Sequence, residues 1–211
     1  MNVALKKPVK SARKAKGDGH LRRAEILEAA ERIFVAEGYE GATIRKIADE
    51  VGVSSTALYM HFRDKDEILI EICNSTMETL LASNSEISAR PIDAVARVRL
   101  MLEAYVRFAL AHPNAYRLAF CSAPQAAFAE KAIDPNDVGE KTYARYVGVV
   151  REIAAEGRLR SGDPDTAAQA LWAACHGMVA LVITKTNVNW SPPEELMGVL
   201  LDSLLYGLIA D

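Results

Sequence analysis

Residues Thr43–Lys65 read TIRKIADEVGVSSTALYMHFRDK, and this stretch decides the fold. Ile44, Ile47, Ala48 and Val51 recur at the spacing of one helical face, and Thr43 stands where a cap belongs. Gly52 stops that helix as a residue tolerant of positive φ. Ser54 can cap a second, short helix with Ala57 and Leu58 facing inward, and Phe62 closes it. Two helices joined so tightly need a small residue at their crossing, which Ala48 supplies. They also need apolar residues that lock their angle: Ile47, Val51, Val53 and Leu58. Left outside are Arg45, Lys46, Ser54, Ser55, Thr56, Tyr59 and His61. Cations, small hydrogen-bonding groups and an aromatic are what a recognition helix uses on base edges and phosphates. The helix starts at Thr43, Ser54 and Asp64 also present N–H groups suited to phosphate. On these residues alone, a helical hairpin with a polar surface stays open as the plainer reading.

Upstream, Ile26, Leu27, Ala30, Ile33 and Phe34 form one stripe of a helix that Gly38 ends. Residues 1–20 hold Lys6, Lys7, Lys10, Arg13, Lys14 and Lys16 among few large apolar groups. They are expected to form a disordered basic arm. Residues 1–23 carry a charge of +7 and the remainder −10. A basic arm on an acidic body points to nucleic acid or another anionic surface. Downstream, Asp64 and Glu67 have capping-box spacing ahead of Ile68, Leu69 and Ile72. Further helices are predicted from Pro91, across Tyr116–Phe120, over about 138–155, over 166–184, and from Ser191 as cap with Glu194 at the third position. A loop with a short helix is expected over 122–137. Leu196, Val199, Leu200, Leu204 and Leu208 are read as the stripe of the last helix. No alternating strand pattern and no repeat interrupts this, so the chain reads as all-α.

Three Cys, at Cys73, Cys121 and Cys175, form no disulfide framework and favour a reducing compartment. Only Cys175 and His176 are neighbours among the Cys and His, which is no metal-ligand spacing, so no metal is expected, and no cofactor motif appears. The longest apolar run, Ala170–Ile183, falls short of the ~20 residues that a membrane span needs. No signal peptide precedes it, so a cytoplasmic protein is expected. HExxH, GxSxG and a phosphate loop are absent, so no catalytic residue is assigned and an enzyme or carrier built on the helical body is the disfavoured alternative.

In order, Phe34, Gly38, Thr43, Ile47-Ala48, Gly52-Val53-Ser54, Leu58-Tyr59, His61-Phe62, Lys65 and Leu69 resemble the TetR family of bacterial transcriptional regulators. The resemblance implies an N-terminal three-helix helix-turn-helix DNA-binding domain over 21–66 and a larger helical effector-binding and dimerisation domain over 67–211. By position it implies that Arg45 and Lys65 meet phosphates, that Ser55, Thr56 and Ala57 approach the bases, and that Tyr59 and His61 touch the backbone or a thymine methyl, with Ser54 also in the DNA-binding set. The arm could enter a minor groove, with Arg22 and Arg23 as the nearest candidates.

Trp172, His176 and Gly177, with HPNAYRLAF at 112–120, are similar to a C-terminal subclass marked by Trp-xxx-His-Gly. Trp172 and His176 lie i, i+4 and share a helical face. Two readings stay open: a core Trp packed on a satisfied His, with Gly177 for close helix approach, or a ligand-facing His176. Met101, Tyr105, Phe108, Tyr116, Phe120, Tyr143, Tyr146, Trp172 and His176 are the candidate lining of an apolar cavity, whose small-molecule effector would be mostly hydrophobic. The last two helices are apolar on more than one face, and Gly198 and Gly207 permit close approach, so a homodimer is expected. A dimer sets two readers about one DNA turn (~34–36 Å) apart, matching a palindromic operator. The function implied is a repressor released by its ligand; control by a protein partner is the alternative.

Overall fold

A computed structural model describes residues 19–122, 138–160 and 162–210. The expected basic arm, apart from its last two residues, and the loop expected over 122–137, apart from its first, lie outside these. Helices occupy α1 (Gly19–Gly41), α2 (Ile44–Val51), α3 (Ser55–Tyr59), α4 (Lys65–Ser88), α5 (Ala94–Ala111), α6 (Pro113–Tyr116), α7 (Val138–Ala155), α8 (Pro164–Thr184) and α9 (Pro193–Leu208). A π-helical turn, Arg117–Ser122, follows α6 directly. The described residues contain no strand, only an isolated antiparallel bridge between Leu159 and Ile209. The chain divides into two compact units, the first ending at Ile72 and the second beginning at Cys73.

The first unit is built by its stop signals. In α1, Gly38 breaks the helical path at φ +74° and ψ 168°. The oxygen of Thr43 accepts from Lys46 N at 3.2 Å to open α2. Gly52 closes it at φ +73° in the left-handed region. Its N–H reaches Asp49 O at 3.2 Å, and Val53 N reaches Ala48 O at 2.9 Å. This pair of bonds satisfies carbonyls that the helix end would otherwise orphan. The Ser54 hydroxyl then accepts from Ala57 N at 3.1 Å. Ile47, Ala48 and Leu58 are fully buried beneath these turns, with Ile26, Phe34 and Phe62. Ala57, expected to face inward, is exposed. At α4, Asp64 accepts from Glu67 N at 2.8 Å. The returning carboxylate of Glu67 takes Arg63 N at 2.7 Å.

The second unit has one core, in which α5 packs on α7 and α8, and α8 on α9. Val98, Ile153, Ala168, Cys175, Val179 and Leu201 are fully buried within it. Two expected starts are corrected. Pro91 lies in a turn and Asp93 caps α5, accepting from Val95 N at 2.9 Å. Ser191 caps nothing and α9 begins on Pro193 without a side-chain cap. Its expected partner Glu194 instead grips the Arg107 guanidinium with both oxygens, at 3.0 and 2.9 Å. Of the stripe expected on α9, Leu196, Leu200, Leu204 and Leu208 pack partly buried against this core, beside the more deeply buried Met197, Leu201 and Leu205; Val199 is the correction, at 67% exposed. The helix α8 is 21 residues and apolar enough, by length and composition, to cross a membrane. Here Ala168, Leu171, Cys175 and Val179 serve as core instead.

The two kinds of glycine predict opposite outcomes. An added Cβ meets nothing within 4 Å at Gly52 or Gly148, but only Gly52 has positive φ. Thermal and urea unfolding should show Gly52→Ala destabilised by about 1 kcal/mol. Gly148→Ala, in the middle of α7, should be stabilised by up to about 1 kcal/mol.

Candidate nucleic-acid interface and effector cavity

The turn chemistry of α2 and α3 leaves an uncovered face. Tyr59 is 56% and Met60 83% exposed. Arg45 is almost free, with only Asp49 at 3.9 Å nearby. Ser54 and Thr56 are exposed, while Ser55 and His61 are half-buried. Lys46, by contrast, is held by Glu37 and by Gly41 O. Lys65 is also partly engaged: its ammonium donates to Tyr39 O at 3.0 Å and stands 4.0 Å from the centre of the Tyr39 ring. Sequence reasoning missed Met60, because a thioether is not an expected polar contact; its place between Tyr59 and His61 was the available signal.

Arg23, expected near DNA, is used inside the unit. Its guanidinium lies 4.0 Å over the Phe62 ring and donates to both oxygens of Glu71 and to the His61 carbonyl. Arg22 pairs with Glu25 at 2.9 Å. Arg23 thus ties down the carbonyl of the half-buried His61, just past the end of α3.

In the second unit a cavity of about 360 Å³ opens between α4, α5, α7 and α8. Of the nine expected lining residues, Met101, Tyr105, Phe120, Tyr143, Tyr146 and Trp172 do line it; Phe108, Tyr116 and His176 do not. Phe108 stacks instead near His112, ring centres 4.8 Å apart. The remaining wall includes Met77, Leu80, Asn84, Leu102, Gly139, Glu140 and Thr142. The three from α4 were missed: on sequence Met77 and Leu80 only continue that helix's apolar stripe, and Asn84 is a polar residue that periodicity does not place.

His176 sits behind this wall. Its ring lies 5.6 Å from Trp172, as the i, i+4 spacing requires. The hydroxyls of Tyr105 and Tyr116 both stand 2.9 Å from its Nδ1. A neutral imidazole nitrogen accepts only one hydrogen bond. Tyr116 OH also donates to His176 O at 3.1 Å, so the proton at Nδ1 comes either from the Tyr105 hydroxyl or from the ring's own N–H. Burial pushes the Tyr105 phenol up and the His176 imidazole down, so both are neutral. The satisfied reading of His176 therefore fits the geometry. Gly177 has open space around it, so no close helix approach within this chain explains it. Burial raises the Cys175 thiol to about 12, leaving it protonated. The Cys121 side chain lies outside the described residues.

Residues 26–72 match the family described as bacterial regulatory proteins, tetR family. Residues 98–204 match the tetracyclin repressor-like C-terminal domain. The chain belongs to the TetR family, and α2 and α3 are its helix-turn-helix. It is 33% identical over 99 residues to the HTH-type transcriptional activator FasR of Mycolicibacterium smegmatis, covering 47% of this chain and 45% of that protein. It is 37% identical over 94 residues to the HTH-type transcriptional repressor AcnR of Corynebacterium diphtheriae, covering 44% and 43%. These two matches span less than half of each relative. Nucleoid occlusion factor SlmA of Vibrio vulnificus is 32% identical over 142 residues, 67% of this chain and 70% of that one. Among solved structures, a Rhodococcus sp. RHA1 protein of unknown function superimposes with a TM-score of 0.68 at 27% identity, covering 89% and 95%.

The lowered His176 predicts a pH dependence. Its folded-state pKa is below the unfolded value of about 6.5, so its neutral form stabilises the fold above that pH. This contribution is lost as pH falls through the folded value. Thermal midpoints taken between pH 7.5 and 5 should fall more for the wild type than for His176→Gln, which has no proton to gain.

Proposed function

We propose that the protein is a homodimeric, sequence-specific transcriptional regulator, a repressor released from a palindromic operator by a small, mostly hydrophobic ligand. The observation that carries the reading is the doubly capped α2–α3 pair, with Arg45, Ser54, Ser55, Thr56, Tyr59 and His61 on its uncovered side. In this reading Arg45 and Lys65 hold phosphates and the α3 residues meet base edges. Family membership supports DNA binding, and the cavity supports a ligand. Leu181, Val199 and Tyr206 are exposed apolar residues on α8 and α9, and the space around Gly198 and Gly207 is open, which supports pairing through these helices. The α4 helix supplies Ile68, Leu69 and Ile72 to the first core and Met77, Leu80 and Asn84 to the cavity wall. It is the route by which occupancy would reach the reader. The ligand must bind the DNA-incompetent arrangement more tightly, or nothing shifts. A second reading puts a protein partner in place of the ligand. It draws on the likeness to a nucleoid occlusion factor, whose name is not that of a transcription regulator.

The test is selection of genomic fragments by the purified protein at two salt concentrations. Recovery of a single palindromic site is expected, bound by two chains. Salt-sensitive binding without sequence preference would overturn the reading. With that site in hand, Tyr59→Ala should weaken binding about tenfold or more and relax preference at the contacted bases. Arg45→Ala should lower the slope of log affinity against log salt by about 1 per half-site, leaving preference intact.

A further inference from the structure

The short helix α3 carries an apolar side chain that the fold does not use. Met60 N donates to Ala57 O at 3.3 Å, and its φ of −72° and ψ of −17° continue the turn of α3 by one residue. Leu58 is the fully buried anchor of this turn. With 3.6 residues per turn, Thr56 and Met60 each stand about 200° around the axis from Leu58, so both point away from the core. The exposures agree: Thr56 is exposed, and Met60, at 83%, is the most exposed large apolar residue described. Ser55, Thr56, Ala57, Tyr59 and Met60 make up the outer side of this segment. None of them is the Arg, Lys, Asn or Gln that makes bidentate bonds to guanine or adenine. Arg45 and Arg63 lie on other segments, each beside a carboxylate: Asp49 at 3.9 Å and Asp64 at 3.5 Å.

An apolar tip gains nothing from most base edges. Set against the donors and acceptors of guanine, adenine or cytosine, it takes water from groups that it cannot bond. In the major groove the C5-methyl of thymine is the apolar group that a base pair presents. A methionine suits that contact, because its thioether is unbranched, polarisable and free to adjust. We propose that Met60 is a specificity-determining residue of the reader, its thioether packing on the methyl group of one thymine in each half-site. The proposal rests on the reading of α3 as the recognition helix of a sequence-specific regulator. It deepens that reading by naming what is read: a methyl group rather than a hydrogen-bonding pattern, met one residue beyond the end of the helix.

The test starts from the site recovered by selection with the full-length protein. Each thymine in it is replaced in turn by deoxyuridine, which removes the methyl and leaves every hydrogen-bonding edge in place. For the wild-type chain, at least one position per half-site should lose about fourfold in affinity on this exchange, the worth of one buried methyl-sized group. For Met60→Ala the exchange at that position should cost nothing, because the shortened side chain no longer reaches the methyl. The thermal midpoint of Met60→Ala should equal that of the wild type, since the side chain is 83% exposed; a lower midpoint would mark Met60 as structural and overturn the proposal. No response at any thymine, or a uracil penalty that is the same in Met60→Ala as in the wild type, would overturn the assignment of Met60 and leave sequence-specific binding standing. Recovery of no preferred sequence would overturn the reading of α3 itself, and the assignment with it.

Discussion

One guanidinium holds the first unit in its working shape. Arg23 on α1 covers the Phe62 ring, grips the Glu71 carboxylate on α4 and donates to the His61 carbonyl. A planar group with several fixed donors can satisfy three elements at once; a lysine has one point of charge and could not. Glu71 raises the already high Arg23 pKa, so the clamp is charged at any pH at which the protein folds. The short α3, only five residues, could not keep a direction by its own hydrogen bonds. It is aimed by its caps at one end and by this clamp at the other.

The first unit was largely legible in the sequence because its information is local. Thr43, Gly52, Ser54 and Asp64 each act on a neighbour within five residues, and caps of this kind contribute about 1 kcal/mol apiece. Arg23 was misjudged for the opposite reason. Its partners are 38 and 48 residues away, and nothing near it in sequence marks a cation that faces inward. The same contrast runs through the second unit. The Trp172–His176 pair follows from helical spacing, whereas the Tyr105–His176 bond spans 71 residues. Glu194 had the form of a capping residue, and a distant arginine claimed it. On α9 the expected stripe holds except for Val199, and Met197, Leu201 and Leu205 were not singled out because the helix is apolar on several sides.

The aromatic wall was legible as composition but not as geometry. Six of the nine expected residues line the cavity because long side chains on α5, α7 and α8 converge there. Tyr116 and His176 are set back, joined to each other and to Tyr105. They form a polar brace behind an apolar lining. Such a brace ties the Tyr105 and Tyr116 rings to one imidazole, which limits where they can stand.

The Cys175 thiol has a use that follows from its burial alone. Burial pushes its pKa up to about 12, so at pH 7 it is held as the thiol, the unreactive form. It is also fully enclosed, between Leu171 and Val179 on the inner face of α8. An alkylating reagent therefore reaches it only while the helix packing is open. The rate of its modification is a clock for the breathing of this core, carried by the native chain without any added label. A molecule that fills the neighbouring cavity would slow that clock, so occupancy can be timed even where it produces no colour, heat or change of shape.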